Sequence, residues 1–441
     1  MPGLRVLLSC VILLCLVAVR PAGATAIEQV TIAGGITAWL VREPAIPVIS
    51  LNVSFAGGGV MDPPERKGAA HMVSGLLDEG AGELDALAFQ TRLEELAIQM
   101  SFDAGPDRFT ASLKTLSGNR DAAFGLLQLA LTEPRFDEDA VERIRRQIVN
   151  GLIAEAKNPR TIASRTWFRL AFKDHPYGQP TKGTQESVKS ITTDDLRRYV
   201  GKVLARERML IGVVGDITAA ELAPLLDRTF GGLPEQVQRP SVAVVAPDGA
   251  GRLEVVHQDI PQSQVIFGAA GIARDDPDWY AAYVLNYVLG GGGLTSRLSD
   301  QVRERRGLAY SVYSSLYPLD YAALHLGGVG TRNDSVAEAL QVIRDELRQV
   351  RDNGISAEEL RDAKTYINGS FPLSLTSGGR IAALLVAIQR NGLGIDYIDQ
   401  RSELINAVTL DDVRRVAKRL LQPENLLVVV VGDPQGLDDG G

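Results

Sequence analysis

The sequence predicts an α+β protein made of two homologous domains, each a mostly antiparallel β-sheet covered by α-helices. The chain has 441 residues, of which 45% are hydrophobic and 23% charged, so it can bury more than one core of ordinary size. Residues 191–216 and 408–433 are identical at 12 of 26 aligned positions, and each reads as an amphipathic helix followed by a buried strand. Strands in hairpins mixed with runs of helices are typical of a sheet with helices on one face.

The first 26 residues have the pattern of a secretory signal peptide. An apolar run from Val6 to Val19 follows a positive charge, and small residues lead to a cleavage position after Ala26. The run of about 14 residues is shorter than the roughly 20 that span a bilayer. We therefore expect a periplasmic protein with no membrane span after cleavage; an uncleaved signal anchor is the alternative.

Cleavage changes the charge and the cysteine content of the chain. It removes two arginines and both cysteines, which leaves 44 basic and 54 acidic residues and a net charge of −10 instead of −8. A mature chain without cysteine forms no disulfides. The acidic balance argues against nucleic acid as a partner, because nucleic-acid-binding proteins carry a basic patch or stripe.

The predicted elements divide the rest of the chain at a segment rich in proline and glycine. We predict an N-terminal domain over residues 27–232, a linker over 233–251 and a C-terminal domain over 252–435. Each domain begins with an apolar strand of period two. Long helices are predicted near residues 69–79, 137–157, 276–289 and 333–352.

The four histidines are the first candidates for a metal site. They are His71, His175, His257 and His325, and no two lie within one helical turn. A zinc site on a helix needs a second ligand four residues on, with an acid between the two. After His71 these positions are Ser74 and Gly75, so the residue pattern favours a packed histidine over a ligand.

Several short motifs occur along the chain in a fixed order. They are Gly68-x-x-His71 with Leu76-Leu77-x-Glu79-Gly80, His175-Pro176-Tyr177-Gly178, Ser296-Arg297-Leu298, and Arg303-x-x-x-Gly307-Leu308-Ala309-Tyr310-Ser311-Val312. With this set the chain resembles the pitrilysin/insulinase family of zinc metallopeptidases, in particular the mitochondrial processing peptidase and its bacterial relatives. The resemblance covers nearly the whole mature chain and implies the LuxS/MPP-like metallopeptidase fold.

The resemblance implies a zinc site in the first domain, and this sequence lacks most of it. Catalytic relatives carry His-x-x-Glu-His and a further Glu on a later helix. The corresponding positions here are His71, Ser74, Gly75 and, on the later helix, Gly151 or Asn150. One imidazole leaves most of a tetrahedral shell unfilled, so we expect no metal in this chain. Glu155 is the one substitute ligand to weigh, but nothing replaces the second histidine.

The second domain keeps the other half of the family's site. Catalytic relatives bind the substrate backbone and the tetrahedral intermediate with an Arg and a Tyr seven residues apart, and Arg303 and Tyr310 match that pair. A charged helix ending at Gly307, followed by an alternating strand, can aim both side chains into one cleft. A surface arginine and a sheet tyrosine without a common role are the alternative.

One glycine run invites another interpretation. The run Gly290, Gly291, Gly292 and Gly293 lacks the Gly-Lys-Ser/Thr ending of a phosphate loop, so we interpret it as a turn between helices. The corresponding segment in the family lies near the substrate cleft, which makes these glycines a possible cleft loop.

The resemblance implies that peptide hydrolysis is shared between two chains. In heterodimeric relatives one subunit carries zinc, and a partner without zinc closes the chamber. We predict a non-catalytic subunit, inactive alone, that presents Arg303 and Tyr310 to a homologous His-x-x-Glu-His chain holding the zinc, with peptides as substrates. A catalytically silent peptide-binding or scaffold homodimer of the cell envelope and an independent peptidase with an unorthodox metal site stay open.

Overall fold

The computed structural model describes residues 26–32 and 34–437, so the predicted signal peptide lies outside it apart from Ala26. The first half has a six-stranded sheet. Its strands are β1 (Ile27–Thr31), β2 (Thr37–Arg42), β3 (Val48–Ala56), β4 (Gln99–Ala104), β5 (Arg108–Leu116) and β6 (Leu210–Gly215). Its helices are α1 (Ala69–Ser74), α2 (Ala86–Glu95), α3 (Arg120–Thr132), α4 (Glu138–Glu155), α5 (Pro159–Ala171), α6 (Gln185–Ser190), α7 (Thr193–Val203) and α8 (Ala219–Phe230).

The second half has a five-stranded sheet. Its strands are β7 (Leu253–His257), β8 (Gln262–Ala270), β9 (Ala309–Pro318), β10 (Ala323–Arg332) and β11 (Leu427–Gly432). Its helices are α9 (Trp279–Asn286), α10 (Val336–Asn353), α11 (Ala357–Ser370), α12 (Gly378–Arg390), α13 (Tyr397–Asn406) and α14 (Leu410–Leu420). Two π-helical turns, Tyr287–Gly291 and Ser299–Glu304, lie between α9 and β9.

Both sheets have the same strand order and the same strand directions. The first runs β1-β2-β6-β3-β5-β4 and the second β7-β11-β8-β10-β9, so β1 is an additional edge strand and the other five correspond one to one. In each sheet one pair is parallel, β2 with β6 and β7 with β11, and the other pairs are antiparallel. The predicted α+β class with two equivalent, mostly antiparallel sheets is confirmed.

The repeated sequence segment forms the same unit twice, α7 with β6 and α14 with β11. Each helix begins after a threonine whose hydroxyl accepts a hydrogen bond from the amide of an aspartate three residues on, at 3.2 Å for Thr192 and 3.1 Å for Thr409. The aspartates, Asp195 and Asp412, accept from the threonine amides in return. This reciprocal capping pairs amides that a helix start otherwise leaves without partners.

Each half covers the sheet of the other half with one of its own helices. Helix α5 packs on β8 and β11, and α12 packs on β3 and β6. Trp167 of α5 is completely buried, and its indole N–H donates to the Leu427 carbonyl of β11 at 3.0 Å. In the other half of the exchange, Gln389 of α12 donates to the Ile211 carbonyl of β6 at 3.0 Å. The two halves are therefore joined by a reciprocal exchange of helices.

The exchange explains why the two central strands are buried on both faces. Along β11, Val428 and Val430 belong to the core of the C-terminal half, whereas the alternating residues Leu427, Val429 and Val431 pack into the core of the N-terminal half. A strand with helices on both faces reads as a continuous apolar run. That is the pattern the sequence shows for β6 and β11.

One segment differs from the predicted outline. The first long helix ends early, at Ser74, because Gly75 follows and the chain continues in turns. The segment 234–251 contains no helix or strand, but it is bound to its surroundings. The Val245 amide donates to the Tyr321 carbonyl at 2.9 Å, and the Asp248 amide donates to the Ala171 carbonyl at 2.8 Å.

In the described part of the chain no single helix is long and apolar enough to cross a membrane. The segments Ala357–Leu375 and Gly378–Arg390 reach that length and apolarity only as a pair, which is bent by 119°.

Close backbone contact between α12 and the first sheet can be tested at Gly212. A Cβ atom there would lie 2.3 Å from the Ala382 carbonyl oxygen. We expect Gly212→Ala to lower the free energy of unfolding by about 1–3 kcal/mol, because the methyl group forces α12 away from β6. Urea unfolding followed by circular dichroism measures the change.

The matched control is Gly125→Ala in α3, where an added methyl group meets nothing within 4 Å. It should be neutral or stabilising by up to about 1 kcal/mol, since alanine is the better helix former. Equal stability of the two variants would contradict the close contact.

Candidate functional site

The residues that correspond to the zinc motif of the resembled family begin on α1. This helix is held at its start by Asp62, whose carboxylate accepts hydrogen bonds from the Gly68 and Ala70 amides at 2.9 Å each. His71 is half-buried, and burial, with a smaller contribution from nearby Lys182, lowers the pKa of its imidazole. The lowered pKa favours the neutral imidazole that a metal ligand requires. A zinc site also needs further ligands beside this imidazole.

The neighbouring positions supply no metal ligand. The Ser74 hydroxyl donates to the His71 carbonyl at 2.8 Å. A Cβ at Gly75 would lie 3.3 Å from Cγ2 of Ile144 in α4, so the two helices are packed closely where a second imidazole would need room. Gly151 also carries no side chain. Among residues 26–32 and 34–437 no group of three or more His, Cys, Asp or Glu side chains is placed to hold a metal ion.

Glu155, the substitute ligand, is occupied by two cations. Its carboxylate lies 2.7 Å from a guanidinium nitrogen of Arg165 and 2.6 Å from Nζ of Lys182. A metal ion at this carboxylate would have to displace both cations or lie beside them, and like charges repel at short range. The residues at the motif position therefore do not fit zinc.

The missing donor set predicts the metal content of the purified chain. After dialysis against zinc and then against buffer, we expect less than about 0.1 zinc ion per molecule, because one imidazole leaves most of a tetrahedral shell unfilled. Inductively coupled plasma mass spectrometry measures it. His71→Ala should have the same zinc content. One zinc ion per chain that disappears in His71→Ala would contradict the prediction.

The side chains of Arg303 and Tyr310 lie next to each other in the second half. The Arg303 guanidinium carbon lies 5.3 Å from the centroid of the Tyr310 ring, a cation–π distance. In the pairing of β9 with β10 the register shifts between Gly330 and Thr331, which leaves Tyr310 as the extra residue of a bulge. A bulge turns a side chain away from the regular pleat, and Tyr310 is 86% exposed. The role of the pair in binding substrate stays a prediction.

Arg297 holds the turn before this pair. It belongs to the motif Ser296-Arg297-Leu298, whose sequence alone predicted no role for it. Its guanidinium binds Glu359 of α11 through two hydrogen bonds, 2.6 and 2.8 Å long. A third, at 3.0 Å, reaches the nearly buried Glu346 of α10. Bidentate pairs of this kind fix orientation as well as distance. Arg297 therefore anchors the segment that carries Arg303 to two helices.

The glycine run has a steric role in this structure. A Cβ at Gly290 would lie 2.5 Å from the Ser314 amide nitrogen, and one at Gly291 would lie 2.7 Å from Nδ2 of Asn286. Gly290 therefore lets the π-helical turn approach β9 closely, and Gly291 leaves room for the side chain of Asn286 in α9. Gly292 and Gly293 continue into a short 3-10 turn that ends at Thr295. The proposed place of this run at a substrate cleft stays a prediction.

The motif at residues 175–178 joins the two halves. The Tyr177 hydroxyl donates to the buried Asp107 carboxylate and accepts from the Tyr321 amide at 3.1 Å. Asp107 also accepts from the Asp320 amide at 3.0 Å. Asp320 and Tyr321 form the turn between β9 and β10, so this turn of the C-terminal half is bound to two buried side chains of the N-terminal half. Burial raises the pKa of both Asp107 and Tyr177.

His325 is a buried structural histidine. Its Nε2 lies 3.2 Å from Oδ1 of Asn286, and the Ser314 hydroxyl donates to the same oxygen at 2.9 Å. Burial lowers the pKa of His325 to about 4. His325 is therefore a packed, hydrogen-bonded histidine, which is the role that the residue pattern favoured for His71.

The lowered pKa of His325 predicts a pH dependence of stability. The unfolded histidine has a pKa near 6.5, so the unfolded chain binds the proton first. The stabilising contribution is complete above about pH 6.5 and is lost as the pH falls towards 4. Between pH 7 and pH 4.5 wild type should lose about 2 kcal/mol more unfolding free energy than His325→Gln. Urea unfolding at both pH values measures this.

The control is Leu87→Gln, at an uncharged side chain of α2 that is 78% exposed. Its loss of stability over the same pH range should match that of wild type. An equal loss in wild type and in His325→Gln would contradict the assignment.

The matches to known proteins agree with this arrangement. Residues 38–185 match the insulinase domain of peptidase family M16, and residues 190–367 match the peptidase M16 inactive domain. The two matches together cover more than two thirds of the chain, so the chain belongs to the insulinase (M16) peptidase family. The family membership expected from the motifs is confirmed.

Relatives with different descriptions share this family. An uncharacterized zinc protease of Streptomyces coelicolor is 28% identical over 92% of this chain and 90% of its own length. A non-peptidase homolog, YmxG, of Helicobacter pylori is 27% identical over 74% of this chain and 76% of its own length. A crystal structure of a peptidase M16 inactive domain from Pseudomonas fluorescens superimposes with a TM-score of 0.87 and 26% identity, covering 93% of this chain and 98% of that one.

Proposed function

We propose that this protein is the non-catalytic subunit of a heterodimeric zinc metalloendopeptidase of the periplasm. The observation that carries the proposal is the contrast between the halves. The zinc-motif positions carry a serine and two glycines, and the Glu155 carboxylate is neutralised by two cations. In the other half, the side chains of Arg303 and Tyr310 are adjacent, and Tyr310 extends into solvent. Because this chain has no zinc site of its own, the pair would act on a peptide carbonyl that is bound at the zinc site of another chain.

The chemistry of the pair suits a peptide carbonyl. A guanidinium and a phenol O–H are both donors, and each binds the oxyanion of a tetrahedral intermediate more strongly than the ground-state carbonyl. The charged neighbour of the Arg303 guanidinium is the exposed Glu304, at 3.4 Å. An exposed ion pair of this length is weak, so the donors of Arg303 are available to a ligand.

The partner in this proposal is a homologous chain with an intact His-x-x-Glu-His motif, which holds the zinc and activates the water. The description of the Helicobacter pylori relative as a non-peptidase homolog supports a role without independent hydrolysis. The signal-peptide pattern of the first 26 residues supports the periplasmic location.

Reconstitution with a zinc subunit tests the shared site. The purified chain, mixed with a His-x-x-Glu-His homologue from the same genome, should hydrolyse a quenched fluorescent peptide that neither chain cleaves alone. Arg303→Ala combined with Tyr310→Phe should lower kcat/KM about 100-fold, the usual cost of removing an oxyanion donor, while the complex still forms on size exclusion.

The matched control is Arg306→Ala, three residues along, whose guanidinium donates to the Gln301 carbonyl at 2.8 Å. It should retain the activity of the wild-type complex. Full activity in the Arg303 and Tyr310 double variant would refute the shared site. A stable homodimer that binds no zinc subunit would favour the alternative, a silent peptide-binding or scaffold protein.

A further inference from the structure

A cavity of about 430 Å³ lies between the two halves, away from the Arg303 and Tyr310 pair. Helix α5, the segment 176–182 and the end of β9 form its walls. Tyr317 of β9 lines the cavity, and Tyr310 stands seven residues earlier, about 23 Å away along an extended strand. The cavity is therefore separate from that pair, and its volume is in the range of small-ligand pockets.

The cavity carries an excess of positive charge. Arg160, Arg165 and Lys182 line it, and Glu155 is the only carboxylate among its lining residues. Glu155 is shared between Arg165 and Lys182. Within the part of the chain that the structure describes, no carboxylate lies within ion-pair distance of the Arg160 guanidinium. Three cations thus face one carboxylate, and the lining has two unbalanced positive charges.

Aromatic rings stand next to these cations. Phe168 of α5 and Tyr317 of β9 both line the cavity, and their rings meet edge to face with centroids 6.3 Å apart. Phe168 is half-buried and Tyr317 is 39% exposed, so both rings can bury further surface against a ligand. The lining therefore suits a molecule that carries a negative charge and an apolar group side by side.

We propose that this cavity binds the C-terminal carboxylate of a peptide whose last side chain is aromatic or aliphatic. A terminal residue carries its carboxylate and its side chain on the same Cα, which matches cations next to aromatic rings. An internal Asp or Glu lacks the adjacent apolar group. Guanidinium groups bind carboxylates in a fixed, bidentate geometry.

The choice of a peptide as the carrier of that carboxylate rests on the proposed function, whereas the charge and the rings are properties of this chain alone. The test therefore uses the isolated full chain without a zinc subunit. Its failure would leave the reconstitution experiment unaffected, and a failed reconstitution would leave this binding experiment interpretable.

The probe is a hexapeptide ending in Leu-Phe, labelled with fluorescein at its N-terminus and followed by fluorescence anisotropy. The free acid should bind about tenfold more tightly than the C-terminal amide, as expected for a charge-assisted hydrogen bond. Arg160→Gln should weaken binding of the free acid about tenfold and leave binding of the amide unchanged.

Arg169→Gln is the matched control, because Arg169 lies on the same helix, is exposed and does not line the cavity. It should bind both peptides like wild type, and circular dichroism checks that each variant is folded. Equal affinity for acid and amide, or equal affinity of the two variants for the acid, would overturn the proposal. So would an amidated peptide with an internal Glu that binds as tightly as the free acid, since a side-chain carboxylate would then be the ligand.

Discussion

The reciprocal packing of α5 and α12 is the contact on which the rest of this structure depends. Each helix covers an apolar sheet face that would otherwise be exposed, and each does so on the sheet of the opposite half. The buried Trp167 and the close backbone approach at Gly212 make the contact specific in position. Separating the halves would expose apolar surface of both sheets to water, which is unfavourable. The two halves are therefore held together as one unit.

That constraint also places the functional features. The cavity has walls from both halves, and α5 contributes Arg160, Arg165 and Phe168 to it while packing on β8 and β11. The turn between β9 and β10 is bound to Tyr177 and Asp107 of the first half, which holds the end of β9 at the cavity. The start of β9, with Tyr310, lies at the other end of the same strand and is open to solvent.

The zinc-motif position of this chain differs from a zinc site in its electrostatics as well as in its missing ligands. In a zinc site acidic and neutral donors surround a cation. Here Glu155 is surrounded by Arg165 and Lys182, and Lys182 also contributes to the lowered pKa of His71. These cations disfavour a bound metal ion by charge repulsion, in addition to the missing ligands.

The sequence by itself determined the duplication, the fold class and the loss of the metal ligands, whereas the pairing of Arg303 with Tyr310 was a prediction that rested on the family resemblance. The first three follow from short-range pattern: period, caps, spacing and the presence or absence of a donor atom. The tertiary structure decided the exchange of helices, the anchoring role of Arg297 and the cavity of α5 and β9. These features depend on which surfaces pack together in the folded chain. Trp167 and Leu427 are far apart in sequence, and no local sequence pattern predicts their contact.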